Sequence, residues 1–223
     1  MYAIEKEIKL EKINTIVWDW NGTLLNDAEV CLGAVNTMLV ARGLQRISIN
    51  HYKDIFTFPV KNYYEQIGFN FGKEDITDLS NEYLGHYFEH FSKTSLQDKA
   101  IQAIKFLKHE GKLQYILSAM SEDDLADTLY KKGIKHYFRK VYGIVDKLAN
   151  GKLTVGQELL QKERLDPETT LMIGDTLHDY EVANALGMSV ILLANGHQSH
   201  ARLLKSDAVV LNDIGELIDY LCG

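Results

Sequence analysis

Short apolar runs alternate with longer amphipathic stretches along most of the chain, and each apolar run ends on a polar residue or a small turn. Ile13 to Trp18 stops at Asp19, Leu113 to Leu117 at Ser118, and Val141 to Val145 near Asp146. Leu171 to Ile173 stops at Gly174-Asp175, Val190 to Leu193 at Asn195-Gly196, and Ala208 to Leu211 at Asn212-Asp213. Their length, their β-branched content and their lack of polar alternation predict strands covered on both faces. Between them, Ala100, Ile104 and Leu107 follow Leu96 at helical spacings, with Gly111 as the stop. Ser121 precedes Glu122, Asp123 and Asp124, a capping hydroxyl with acids in the first turn, and Leu125, Leu129 and Gly133 complete that helix. Asp179 to Leu186, closed by Gly187, is another. Strands alternating with helices predict an α/β fold with a parallel sheet and helices on both faces. Such sheets bind ligands beyond the carboxyl ends of their strands, where Asp19, Ser118 and Asp175 all fall.

One segment breaks the alternation. From about Asn26 to about Lys93 no strand is predicted, and helical stretches lie around Glu29–Arg42, Lys61–Ile67 and Asp75–Phe91. The last carries Tyr83, Tyr87, Phe88 and Phe91 at largely helical spacings. The expectation is a main domain of residues 1–25 and 94–223 with a helical insert of residues 26–93 packed on itself, able to close over the sheet edge.

Composition narrows the function classes. With 24 basic against 31 acidic residues the net charge is -7, which argues against a general nucleic-acid binder. Cys31 and Cys222 form no metal-binding spacing and no disulfide framework, as in a reducing cytoplasm. The start, MYAIEKEIKLEKI, lacks the apolar core of a signal peptide, and no run reaches the ~18 apolar residues of a membrane span. A soluble, cytoplasmic protein with no membrane partner is expected, as a monomer or homodimer without a coiled coil.

Four motifs carry candidate chemistry. Asp19 ends a buried strand and leads into Trp20-Asn21-Gly22-Thr23-Leu24, which places a carboxylate to attack a group held in a backbone pocket. Its alternative is an aspartate that caps a loop. Ser118, in Ile116-Leu117-Ser118-Ala119-Met120, offers a strand-end hydroxyl and free N–H groups for phosphoryl oxygens, or simply starts the next helix. Lys152 lies 23 residues ahead of Asp175 and would neutralise phosphoryl charge; Lys147, five residues earlier, is its rival. In Gly174-Asp175-Thr176-Leu177-His178-Asp179, two carboxylates four residues apart flank a strand-to-helix turn and suit Mg²⁺, unless Asp179 only caps the helix.

Taken in order, these motifs resemble the haloacid dehalogenase superfamily over nearly the whole chain, about Ile13 to Leu221. The large helical insert and Ala183-Asn184-Ala185-Leu186-Gly187-Met188 look like the branch that includes phosphoglycolate phosphatase and β-phosphoglucomutase. The resemblance implies a Rossmann-like doubly wound parallel sheet with an inserted helical cap, and a phosphatase acting on a small phosphorylated molecule. It makes Asp19 the nucleophile and, with the Asn21 carbonyl, Asp175 and Asp179, a ligand of Mg²⁺. It gives Ser118, the Ala119 backbone and Lys152 the phosphoryl group to hold. Metal is needed because two anions must meet.

The chain departs from the family at one place. The phosphatase pattern DxDGT reads Asp19-Trp20-Asn21-Gly22-Thr23, and an amide at position 21 cannot protonate the leaving group or activate water as the second aspartate does. General acid–base help is typically worth about 10²–10⁴-fold, or roughly 3–5 kcal/mol of barrier. Three explanations stand open: a substrate with a good leaving group such as an acyl phosphate or anhydride, a substitute residue such as His178, or an engineered substitution that traps a complex. The carbon-attacking branch needs no magnesium site, so Asp175 and Asp179 argue against it. Phosphonatases carry alanine in place of the second aspartate and use a cap lysine as a Schiff base, for which Lys53 and Lys61 are no more than nominal candidates; Phe56, Phe58 and Lys61 around Pro59 could read the substrate. The leading reading is an enzyme; a weakened phosphometabolite-binding protein is the alternative, and a phosphotransferase or mutase a narrower one.

Overall fold

The computed structural model describes residues 8–144 and 151–223. In chain order, the first strand β1 (Thr15–Trp18) leads to a short strand β2 (Leu25–Asn26) and four helices, α1 (Ala28–Ala41), α2 (Ile49–Ile55), α3 (Val60–Gln66) and α4 (Ile76–His90). A second short strand, β3 (Ser95–Leu96), returns antiparallel to β2. Then come α5 (Ala100–His109), β4 (Leu113–Ser121), α6 (Glu122–Lys131), β5 (Lys140–Ile144), α7 (Lys152–Glu163) and β6 (Thr170–Gly174). The chain finishes with α8 (Leu177–Leu186), β7 (Ser189–Leu193), α9 (His200–Leu203), β8 (Val209–Leu211) and α10 (Ile214–Cys222).

The six longer strands form one sheet in the order β5-β4-β1-β6-β7-β8, and every pairing in it is parallel. Both faces are buried, and alternate residues of each strand go to opposite layers. Ile16, Trp18, Ile116, Leu171 and Ile173 pack with Ile104 and Leu107 of α5, Leu125 and Leu129 of α6, and Leu217 of α10. Val17, Tyr115, Leu117 and Met172 pack on the other face with Val155 and Leu159 of α7 and Val182 and Leu186 of α8. This is why the strands read as unbroken apolar runs. The polar atoms that share the core are satisfied, as burial demands: Trp18 Nε1 donates to Gln114 Oε1 at 3.0 Å, and Gln114 Nε2 to the Ile104 carbonyl at 2.9 Å.

Because β1 lies between β4 and β6, the residues that end these three strands share one edge. The chain runs outward through β4 and β5 and then returns to the far side of β1, which opens a crevice at the point of reversal.

Several boundaries shift from the sequence reading. The strand expected to end at Ser118 continues to Ser121, with an irregular register against β5 between Leu117 and Ser121. Ile13 and Asn14 precede β1. Helix α2 was not expected: its Ser48 cap accepts a hydrogen bond from the His51 N–H at 3.2 Å, but the helix is seven residues long, too short to show a clear period. Val145, Asp146 and Lys147 lie outside the described residues. The three helical stretches predicted within residues 26–93 correspond to α1, α3 and α4 to within two residues at either end. Among the described residues no helix is long and apolar enough to cross a membrane.

Candidate active site

The backbone turns sharply after β1. Gly22 has φ of 77°, a left-handed conformation that glycine adopts freely. A Cβ there would also collide with the Asp175 carboxylate and the His197 ring. Its N–H donates to the Leu25 carbonyl at 2.9 Å and to Asp27 Oδ1 at 3.0 Å, and Gln97 Nε2 holds its carbonyl at 2.8 Å. The loop is therefore fixed from both sides, with Asp19 at its root.

Asp19, Asp175 and Asp179 converge, with one oxygen of each within 4.8 Å of the others. Asp19 is 6% exposed, Asp175 0% and Asp179 1%. Lys152, at the start of α7 and 2% exposed, places Nζ 2.5 Å from Asp19 Oδ1 and 2.5 Å from Asp179 Oδ1. Burial alone would lower the lysine's pKa, but Asp179 and Asp19 hold it above the usual lysine range. Asp179 is held low: burial opposes this, and Lys152 overcomes it. Asp19 faces the same lysine at the same distance. Burial, then the charges of Asp179 and Asp175, push it up to about 8 against the pull of Lys152. Asp175 is pushed up to about 6, chiefly by burial, with His197 opposing.

Asp179 caps its helix, the alternative given from sequence, and faces the lysine as well. Its Oδ2 accepts from the Thr176 N–H at 3.0 Å, the Thr176 hydroxyl at 2.7 Å and the Asp175 N–H at 3.2 Å, which closes a capping box on α8. Its Oδ1 meanwhile faces Lys152. Asp175 is oriented by the Thr23 hydroxyl at 2.8 Å and the His197 N–H at 2.6 Å. Ser118 is 1% exposed, and its Oγ accepts from the Met120 N–H at 3.1 Å. Asp19, Asn21, Ser118, Ala119, Lys152 and Asp179 all line one cavity.

Beside this group sits a second one, which the sequence reading missed. Asp27 ends the turn and makes no side-chain cap bond to α1. Its carboxylate, 1% exposed, accepts instead from Asn21 Nδ2 at 2.7 Å and Tyr87 Oη at 2.9 Å, and pairs with His197 Nε2 at 3.2 Å. His197 Nδ1 meets Tyr52 Oη at 2.8 Å. Burial would lower His197, yet the adjacent Asp27 carboxylate raises it to about 9. Asp27 is held below its ordinary value by His197 and the Asn21 and Tyr87 donors, against burial. The available signals were an aspartate eight residues past Asp19 and a histidine directly after the strand-end pair Asn195-Gly196. Neither spacing announces a contact between loops 170 residues apart.

Other candidates are not brought in. Lys53 Nζ donates to the Asn195 carbonyl at 3.3 Å, and Lys61, half exposed, lies near Glu65 and the Phe71 ring. Neither lines the cavity, whereas Phe56 and Phe58 do. His178 also lines it, with its ring stacked on Phe58 at 4.7 Å between centroids.

A parallel sheet thus carries three buried carboxylates and a buried lysine at its carboxyl edge. The profile of the haloacid dehalogenase-like hydrolase family matches residues 16–193, and the chain belongs to that family. It is a phosphohydrolase of α/β, Rossmann-like fold. Phosphoglycolate phosphatase 1 of Pseudomonas aeruginosa is 22% identical over 215 residues, which cover 91% of this chain and 78% of that protein. A haloacid dehalogenase-like hydrolase from Streptococcus pneumoniae superposes with a TM-score of 0.71 at 20% identity, covering 94% of this chain and 99% of its own. Protein tyrosine kinase A from Mycobacterium tuberculosis reaches a TM-score of 0.79 at 20% identity, covering 94% and 98%.

Proposed function

We propose that this phosphohydrolase is a Mg²⁺-dependent phosphatase of small phosphorylated molecules that works through an aspartyl phosphate on Asp19. The observation that carries the reading is Lys152 Nζ held 2.5 Å from both Asp19 and Asp179, with Asp175 completing a buried three-carboxylate group. The donor set fits magnesium: hard carboxylate oxygens set close together, with Asp19 and Asp175 pushed above the ordinary carboxylate range first by burial and then by their neighbours' charge. Asp19, the Asn21 carbonyl and Asp175 would hold the ion, with Asp179 direct or through water. When bound, the ion screens the nucleophile from the phosphate and stabilises charge on the transferring group.

The protein's own groups supply the rest. Asp19 attacks phosphorus; the bond to the leaving oxygen breaks and its electron pair departs with that oxygen. Ser118, the Ala119 N–H and Lys152 hold the phosphoryl oxygens. Water then attacks the same phosphorus, the bond to Asp19 breaks, inorganic phosphate leaves, and the water's proton passes to solvent. Asn21 has no proton to give. Its amide donates to Asp27 Oδ2 and so holds the loop in place. Residues 26–93 act as the cap that closes over the sheet edge.

Acetyl phosphate tests this reading, because its leaving group needs no acid and no recognition by the cap. Phosphate release is expected with Mg²⁺ and is expected to fall about 10³-fold or more in Asp19→Asn or with chelator. Equal release from Asp19→Asn and the unaltered chain would refute the nucleophile.

A further inference from the structure

The cavity has two unlike ends. At the sheet edge it is lined by Asp19, Ser118 and Lys152, the groups assigned above to the phosphoryl transfer. The wall contributed by residues 26–93 is aromatic: Phe56, Phe58, Tyr63, Tyr64, Tyr83 and Tyr87. The other lining residues of that segment are Cys31, Val35, Tyr52, Val60, Ser80 and Leu84, so among the described residues the segment brings no charged side chain to the cavity. The whole cavity, its phosphoryl end included, measures about 170 Å³, the size range of the ~150 Å³ apolar cavities that take one benzene ring. Two buried polar atoms on the lining residues have no partner, Tyr63 Oη and His178 Nε2. Tyr63 is only 1% exposed, so an orphaned hydroxyl there carries a cost that a bound molecule would relieve.

We propose that the substrate is an aryl phosphate monoester, with its ring in this aromatic chamber and its phosphoryl group at Asp19. The proposal rests on the reading of Asp19 as nucleophile and adds the substrate class. A carboxylated phosphate would find there His197, whose two ring nitrogens already meet Asp27 and Tyr52, and a sugar's several hydroxyls would lose more water than the two unpartnered atoms, Tyr63 Oη and His178 Nε2, could replace. A ring loses nothing there and gains edge and face contacts. A ring substituent with one donor or acceptor would meet Tyr63 or His178.

The same substrate accounts for Asn21. A phenol ionises near pH ~10, as tyrosine does, whereas an aliphatic alcohol resembles water at ~15.7. An aryloxide therefore leaves with the bonding electron pair unassisted and takes its proton from solvent afterwards. Asp19 forms the new P–O bond as the aryl P–O bond breaks; water then displaces Asp19 from phosphorus. The net change is aryl phosphate plus water to phenol plus inorganic phosphate.

The experiment has two arms, both on the full chain. In the first, kcat/KM with Mg²⁺ is measured for phenyl phosphate, 2-phosphoglycolate and glycerol phosphate, with acetyl phosphate as the ring-free reference. Phenyl phosphate is expected to exceed the two aliphatic esters by 100-fold or more. In the second, calorimetry on Asp19→Asn compares phenylphosphonate with methylphosphonate. Burying the ring should tighten binding about 10- to 100-fold, and Val35→Phe, which fills the chamber, should narrow the gap. Turnover of 2-phosphoglycolate as fast as phenyl phosphate, or phosphonate binding blind to the ring, overturns the aryl assignment. Silence on acetyl phosphate would instead sink the Asp19 chemistry, and the phosphonate arm would then decide the aryl question by itself.

Discussion

Asp27→Asn probes the electrostatic support of the loop that carries Asn21. In the folded chain His197 is buried, 3.2 Å from the Asp27 carboxylate, and its pKa is raised to about 9 against the ordinary 6.5. A raised histidine stabilises the fold fully below its unfolded value and loses that contribution as pH climbs through the folded one. From those two values the contribution is about 3 kcal/mol at pH 6 and falls below ~0.5 kcal/mol at pH 9. Asp27, held low, keeps its half of the pair until pH drops below the ordinary carboxylate range near ~4. The groups facing the imidazole are Asp27, the Tyr52 hydroxyl and, more distantly, Asp19 and Asp175. Only the first is altered; Asp19 and Asp175 face the imidazole in both chains. Urea unfolding of both chains at pH 6, 7.5 and 9 gives the test. The stability gap should be about 2–3 kcal/mol at pH 6 and close to nothing from this pair at pH 9. A gap of the same size at all three pH values would refute the ion-pair reasoning and leave only lost hydrogen bonds.

Two further outcomes follow from the same geometry. Asn21→Asp, which restores the family pattern, sets a second carboxylate against Asp27 where an amide now donates at 2.7 Å; it should cost about 1–3 kcal/mol at pH 8 and much less at pH 5, where the two can share a proton. Asn21→Asp with Asp27→Ser should recover that loss, which a double-mutant cycle by urea unfolding would register; no coupling between the two positions would contradict the contact. Gly196→Ala drives a Cβ into the Asp175 side chain, so Mg²⁺ affinity by calorimetry should fall at least about tenfold, and an unchanged affinity would remove Asp175 from the metal site.

The strand pattern was legible because both sheet faces are buried, so Ile16, Val17 and Trp18 could all be apolar without distinction of face. Asp19 and the paired carboxylates were legible because each sits at a strand end or in a strand-to-helix turn, where local spacing fixes position. Helix α2 was hidden by its length, and the extension of β4 past Ser118 by the small and polar residues that follow it. The aromatic residues of α4 read as self-packing, and Tyr87 does reach the Asp27 carboxylate with its hydroxyl. Residue type gave no hint of that contact, since a tyrosine on a buried helix face is ordinary.

What the chain determined by itself was therefore local: the element order, the parallel sheet, and the residues placed at its carboxyl edge. Hydrophobic period and turn chemistry act over a few residues and are written directly in the sequence. What only the tertiary structure decided was long-range. The meeting of Asp27 with His197, the placement of Lys152 between Asp19 and Asp179, and the aromatic chamber facing them each join segments far apart in the chain. Such contacts are set by how the layers pack and by which buried charge can find a partner, and no spacing along the chain encodes them.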